Sequence, residues 1–190
     1  MALPVISLEP TKFKNAPRDD LTFDFVKSIL SYCPETGEFV WLERIHPPSW
    51  NFQMAGRAAG CKRKGYWLIS INHKKYCAHR LAWLMITQAW PVDEIDHANG
   101  DKLDNSAKNL RQATSSENKQ NRGAQRNNVS GLKGVRQRHD TKKWSATITV
   151  DSNNIHLGDF LSASDAHAAY CQAAANLHRE FANTSSHTKE

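Results

Sequence analysis

The chain has 190 residues, a net charge of +6, a pI of about 9.2 and a mean hydropathy of −0.64, so it is long enough for one domain or two small ones. A hydrophobic share of 39% supports real cores, while the basic balance points to an acidic partner such as nucleic acid. No apolar run is long enough to span a membrane, the N-terminus lacks a signal-peptide core, and Cys33, Cys61, Cys77 and Cys171 form no Cys-x-x-Cys pair. These features predict no membrane partner and no zinc-stabilised motif, and make a reducing cytoplasm, bacterial or phage-infected, the expected location.

Residues 1–20 are polar and Pro-containing and are expected to be loosely ordered. Phe25, Val26, Ile29 and Leu30 have helical spacing, which predicts a helix over Thr22–Tyr32. The Pro34–Gly37 turn then leads into a strand, Glu38–Leu42. Gly65–Ile71 and Lys75–Ala78, split by residues 72–74, predict a hairpin. His79–Ala89 is an apolar helix that Pro91 stops, with His79 a candidate for the lining of a site.

The segment Asp93–Asn121 concentrates the chemistry. A short strand ends near Asp96, and Asn99-Gly100 signals a tight turn. Leu110–Ala113 reads as a second strand, and Thr114-Ser-Ser-Glu117 is a capping box that opens a helix. Strand neighbours point to opposite faces, so Asp96 and His97 share a site only if the chain leaves strand geometry at His97. Taken singly, Asp96 and His97 suit a strand end, Asn109 a turn or cap, and Asn118 a solvated helix position. Asp101 and Asp104 read as loop formers.

The joint pattern Asp96-His97-x-x-Gly100-Asp101-x-x-Asp104-Asn105, with Asn109-Leu-Arg111 and Glu117-Asn118 after it, resembles the H-N-H endonucleases of the phage and mobile-element branch. That resemblance implies a ββα-metal motif over residues 92–122. It also implies His97 as general base, Asn109 as the residue that holds the loop and orients His97, and Asp96 and Asn118 as ligands of a divalent cation, Mg²⁺ or Mn²⁺. No structural zinc is expected.

From residue 119 to 143 eight Lys and Arg face one acid, Asp140. Residues 119–130 have almost no apolar content and predict a basic linker whose Arg122 and Arg126 follow a DNA backbone. Beyond it, Leu132–Arg138, Lys143–Asp151 and Asn154–Phe160 read as three antiparallel strands. Ser162 opens a helix with an Ala-rich stripe through Ala166, Tyr170 and Ala174. Gly134-Val-Arg-Gln-Arg138, Lys143-Trp144, Ala146-x-Ile148, His156-Leu-Gly-Asp-Phe160 and Ala166–Ala174 resemble the APETALA, or ethylene-response-factor, DNA-binding domain. The resemblance implies Lys133, Arg136, Arg138, Lys142, Thr147, Thr149, Asn154 and His156 as contacts to duplex DNA.

The expected fold class is therefore α+β: a ββα-metal nuclease motif plus a small three-stranded antiparallel sheet packed on one helix. The expected divisions are a nuclease domain at 21–118, a linker at 119–130, a DNA-binding domain at 131–184 and a tail at 185–190. The expected activity is metal-dependent hydrolysis of phosphodiester bonds in duplex DNA by a phage or homing-type endonuclease, with a monomer favoured. The alternatives are a catalytically silent DNA-binding regulator on the same fold, and an RNA-acting or structural nucleic-acid protein.

Overall fold

The computed structural model describes residues 19–45, 48–125 and 127–185. Most of the N-terminal stretch 1–20, Arg126 and most of the tail 185–190 therefore lie outside the described residues.

Helix α1 (Phe23–Ile29) begins at Thr22, whose hydroxyl accepts from Phe25 N at 3.3 Å. It is shorter than the apolar spacing predicts. At Leu30 the backbone turns extended, and β1 (Leu30–Tyr32) pairs antiparallel with β2 (Phe39–Trp41). The turn between them, with Gly37 at φ +76°, closes a hairpin that buries Leu30, Phe39 and Trp41. A short apolar run fits either period, and here the turn decides. Two further elements follow that the sequence does not announce, α2 (Pro48–Met54) and β3 (Cys61–Arg63). The predicted hairpin forms as β4 (Tyr66–Ile71) and β5 (Lys74–Cys77), with β3 as its third strand. Helix α3 (Ala78–Thr87) ends where Gln88 takes the left-handed conformation at φ +60°.

β6 (Glu94–His97) pairs antiparallel with β7 (Leu110–Ala113), placing Asp96 opposite Arg111 and His97 opposite Leu110. Helix α4 (Ser115–Gln120) follows, and both hydrogen bonds of the Thr114/Glu117 capping box are present. One apolar core under this first half includes Val26, Leu30, Phe39, Ile69, Leu81 and Leu84, and it also takes in Ile95 of β6 and Leu110 of β7. The two strands that carry the conspicuous polar residues are thus rooted in the preceding scaffold.

The second unit is a sheet of β8 (Val135–Gln137), β9 (Trp144–Val150) and β10 (Asn153–Phe160), in the order β10-β9-β8, with α5 (Ala163–Leu177) on one face. Val135, Ala146 and Ile148 meet Ala166, Tyr170 and Ala174 of the helix. The small alanines let helix and sheet approach closely. Gly134 allows the same thing locally, since a Cβ there would stand 2.1 Å from the Tyr170 ring.

The two units touch directly. Helix α4 runs past residue 118 to Gln120, and Asn121 and Ala124 are buried within the stretch expected to be a linker. The Arg111 guanidinium lies 3.9 Å from the Phe181 ring centroid and Nη1 donates to Glu180 O at 2.5 Å. Asn183 Nδ2 donates to Asn121 O at 2.7 Å, and Lys133 Nζ donates to Gln120 O.

Candidate active site

The end of β6 opens onto a cleft of about 700 Å³ lined by Asp96, His97, Asn118 and Asn121, with Tyr66, Lys102 and Arg122 also on its walls. Asp96 and His97 are 4% and 5% exposed, so both face this cleft from a largely buried position. β6 stops at His97 and a turn starts at once, with Gly100 N donating to His97 O at 2.8 Å.

His97 Nε2 lies 3.4 Å from Asn105 Oδ1. Asn105 Nδ2 donates to Leu103 O at 3.1 Å, which turns Oδ1 to the ring, and the tautomer that satisfies this contact carries the proton on Nε2 and a lone pair on Nδ1. Burial pushes the imidazole below its ordinary pKa, against the opposing pull of Asn105 and of Asp96, Asp101 and Asp104. The ring packs edge-on against His79, with centroids 5.2 Å apart at 80°, and His79 in turn packs on Tyr66 at 5.6 Å. His79 is buried, its Nδ1 has no hydrogen-bond partner among the described residues, and burial pushes its pKa down to about 3.

Among the described residues Asn109 makes no hydrogen bond to His97. Its Oδ1 accepts from Asn99 N at 2.9 Å, its Nδ2 donates to Asp104 O at 2.8 Å, and its carbonyl accepts from Ala98 N at 2.9 Å. It therefore ties down both ends of the loop 98–104 next to Asn105. Asp104 and Asp101 shape the same loop: Asp104 accepts from Ser106 N and Oγ, and Asp101 from Leu103 N.

Asp96 Oδ2 accepts from Arg111 Nε at 2.9 Å, from Nη2 at 2.8 Å and from Asn121 Nδ2 at 2.9 Å, while Oδ1 accepts, among the described residues, only from Asn121 Nδ2, at 3.0 Å. Asn118 also lines the cleft, but its amide donates to Glu94 rather than to Asp96. The residue that the structure brings to Asp96 is Asn121, one helical step further on. The spacing Asn118, Asn121 was the available signal for it. Arg111 stands in the Asn-Leu-Arg pattern, but its contact with Asp96 follows only from the strand register.

The donor set is one carboxylate plus the amide oxygens that Asn118 and Asn121 present when turned about their last torsion. Hard oxygen ligands of this kind fit Mg²⁺ or Mn²⁺. Among the described residues no group of three His, Cys, Asp or Glu is placed to hold a metal, so any such ion depends on those amides.

The residues expected on the open sheet face separate into two groups. The register Thr147 opposite His156 and Thr149 opposite Asn154 sets these four on the face away from α5, together with exposed Arg136. Lys142 is exposed in the β8–β9 turn. Lys133 is not on this face: it precedes β8, its ammonium is turned to Gln120 and the Tyr170 ring, and burial pushes its pKa down to about 8. Arg138 is engaged by Asp140 at 2.7 Å and Asp159 at 3.1 Å, which leaves little free charge for a phosphate. Arg122 lies on the cleft wall rather than beside the sheet.

Among the described residues no helix is long and apolar enough to cross a membrane. No solved structure matches the chain. A family model described as HNH endonuclease matches residues 76–120, which span α3 to the end of α4 and hold every residue of the Asp96–His97 pattern. Protein 3.8 of Escherichia phage T7 is 32% identical over 90 residues, 46% of this chain and 72% of that protein. With the pattern and the family-model match in the same segment, and with that relative covered over 72% of its length, the chain belongs to the HNH endonuclease family.

Proposed function

We propose that the chain is a divalent-metal-dependent endonuclease acting on duplex DNA, of phage or homing type, and that its C-terminal sheet-and-helix unit is an ERF-type module that directs it to its target. The observation that carries the reading is the pair at the end of β6: a His with a free Nδ1 beside a carboxylate that keeps one oxygen lightly used, both on one cleft with cationic side chains on its walls.

In this reading His97 Nδ1 takes a proton from a water, and the resulting hydroxide attacks phosphorus as the bond to the leaving oxygen breaks. Asn105 holds the imidazole by Nε2, and Asn109 positions Asn105 through the loop. Asp96, with the Asn118 and Asn121 amide oxygens, is the place for a cation. When bound, a Mg²⁺ or Mn²⁺ ion neutralises charge building on the phosphate and on the leaving oxygen. Lys102 and Arg122 meet the neighbouring phosphates. On the second unit Arg136, Thr147, Thr149, Asn154 and His156 form the surface offered to the DNA groove, with Lys142 at its edge.

The test is cleavage of supercoiled plasmid with Mg²⁺ or Mn²⁺. The intact chain is expected to nick or linearise it, and chelator, His97→Ala or Asp96→Ala is expected to lower the rate by at least ~10²-fold, the scale of a general base. Cleavage by His97→Ala at the intact rate would remove His97 as the base. Tight duplex binding without any cleavage would favour the silent regulator.

A further inference from the structure

We infer that the C-terminal segment 180–183 is a positioning element of the nuclease site, a latch that keeps one oxygen of Asp96 open to a cation. The inference rests on the metal reading above and goes beyond it, because it gives the second unit a task at the reacting centre as well as on DNA.

An Arg opposite a carboxylate on paired strands normally meets it fork to fork, two nitrogens on two oxygens. Arg111 does not. Nε and Nη2 both converge on Asp96 Oδ2, while Nη1 is drawn away to Glu180 O at 2.5 Å and the guanidinium plane lies on Phe181 at 3.9 Å. Phe181 is 6% exposed, so this stacking is a packed contact. As a result, among the described residues Oδ1 keeps only the Asn121 amide, which is itself a candidate ligand. Asn121 is held in turn, because its carbonyl accepts from Asn183. Two struts from the same four-residue segment therefore end on the two residues beside the cation position. Without them Arg111 is free to swing into the two-oxygen geometry, where its fixed positive charge competes with the metal for Asp96.

The experiment is Mn²⁺ binding to the full chain without DNA, read from the electron paramagnetic resonance signal of the free ion. Phe181→Ala is expected to raise the Mn²⁺ dissociation constant by roughly 3- to 10-fold, below or at the lower end of what losing a group that orients a metal ligand costs. Phe181→Tyr, which keeps a ring under Arg111, should bind close to the intact chain. Asn183→Ala should shift in the same direction as Phe181→Ala, and it decides the matter if Phe181→Ala does not fold. The inference is overturned if Phe181→Ala and Asn183→Ala bind Mn²⁺ as the intact chain does while Asp96→Ala loses binding. Wild-type Mn²⁺ affinity in Asp96→Ala overturns the metal reading itself, and the latch with it.

Discussion

At the scale of single residues, the two histidines buried beside the cleft, His79 and His97, share an environment but differ in what protects them. His97 has Asn105 on one nitrogen and carboxylates nearby, whereas His79 Nδ1 has no partner among the described residues and its ring is enclosed beside His97 and Arg80. Burial, followed by the fields of His97 and Arg80, takes the His79 pKa from 6.5 to about 3. The folded value is the lower one, so the unfolded chain binds the proton first. Stability from neutral His79 is complete above pH 6.5 and is lost as the pH falls from there towards about 3. One such group adds a slope of at most about 1.4 kcal/mol per pH unit. Urea midpoints of the intact chain should therefore drop between pH 7 and pH 5, and His79→Phe should drop measurably less. Parallel pH profiles for the two proteins would show that His79 is charged in the folded state or not enclosed.

At the scale of elements, the site depends on a hairpin that has no chemistry of its own. Pro34 O accepts from Ala107 N, Tyr32 hydroxyl donates to Asn105 O, and Gly37 passes so close to the loop that a Cβ would stand 2.3 Å from Asn105 C and 2.4 Å from Ser106 N. Both of those neighbours are backbone, and Gly37 has φ +76°, so neither side can give cheaply. Gly37→Ala should cost about 2–4 kcal/mol in a denaturation experiment, from strain and overpacking together. It should also lower cleavage through the Asn105–His97 contact. An unchanged midpoint would mean that the hairpin and loop do not pack as described. Such dependence is hard to read from sequence because it is a long-range approach of backbones. The placement of Asp96, His97 and Asn109 at strand and turn boundaries was legible because those boundaries carry strong local signals. The choice between Asn118 and Asn121 was not, since the two lie about 60° apart around a helix of six residues. Which one meets Asp96 depends on the angle at which α4 leaves β7. The β8–β10 sheet and α5 were legible within a residue or two at most boundaries, from period two and an Ala stripe; β8 is shorter at both ends than predicted. The β1 strand was not, because a three-residue stretch, Leu30-Ser31-Tyr32, is too short to separate a helical from an extended pattern.

At the scale of the whole molecule, net charge says that the chain favours polyanions, but the arrangement of partners says which cations are free to act. Arg138 and Arg136 flank one another in sequence, and both read as DNA contacts there. In the structure Arg138 is held between Asp140 and Asp159, while Arg136 is exposed and has no ion-pair partner among the described residues. A cation already neutralised by two carboxylates releases few counterions from DNA, whereas a free one releases nearly a full charge's worth. Arg136→Ala should therefore weaken duplex binding and reduce the slope of log K against log salt by about 1. Arg138→Ala should change the slope by much less, even though it removes the same formal charge. The measurement is duplex affinity of the intact chain and the two variants over a series of salt concentrations, with metal omitted so that cleavage does not intervene. Equal slope changes in the two variants would mean that the Asp140 and Asp159 contacts dissolve on DNA. No change in either would mean that the face of β8, β9 and β10 turned away from α5 does not meet the phosphates, and that the basic cleft alone holds the duplex.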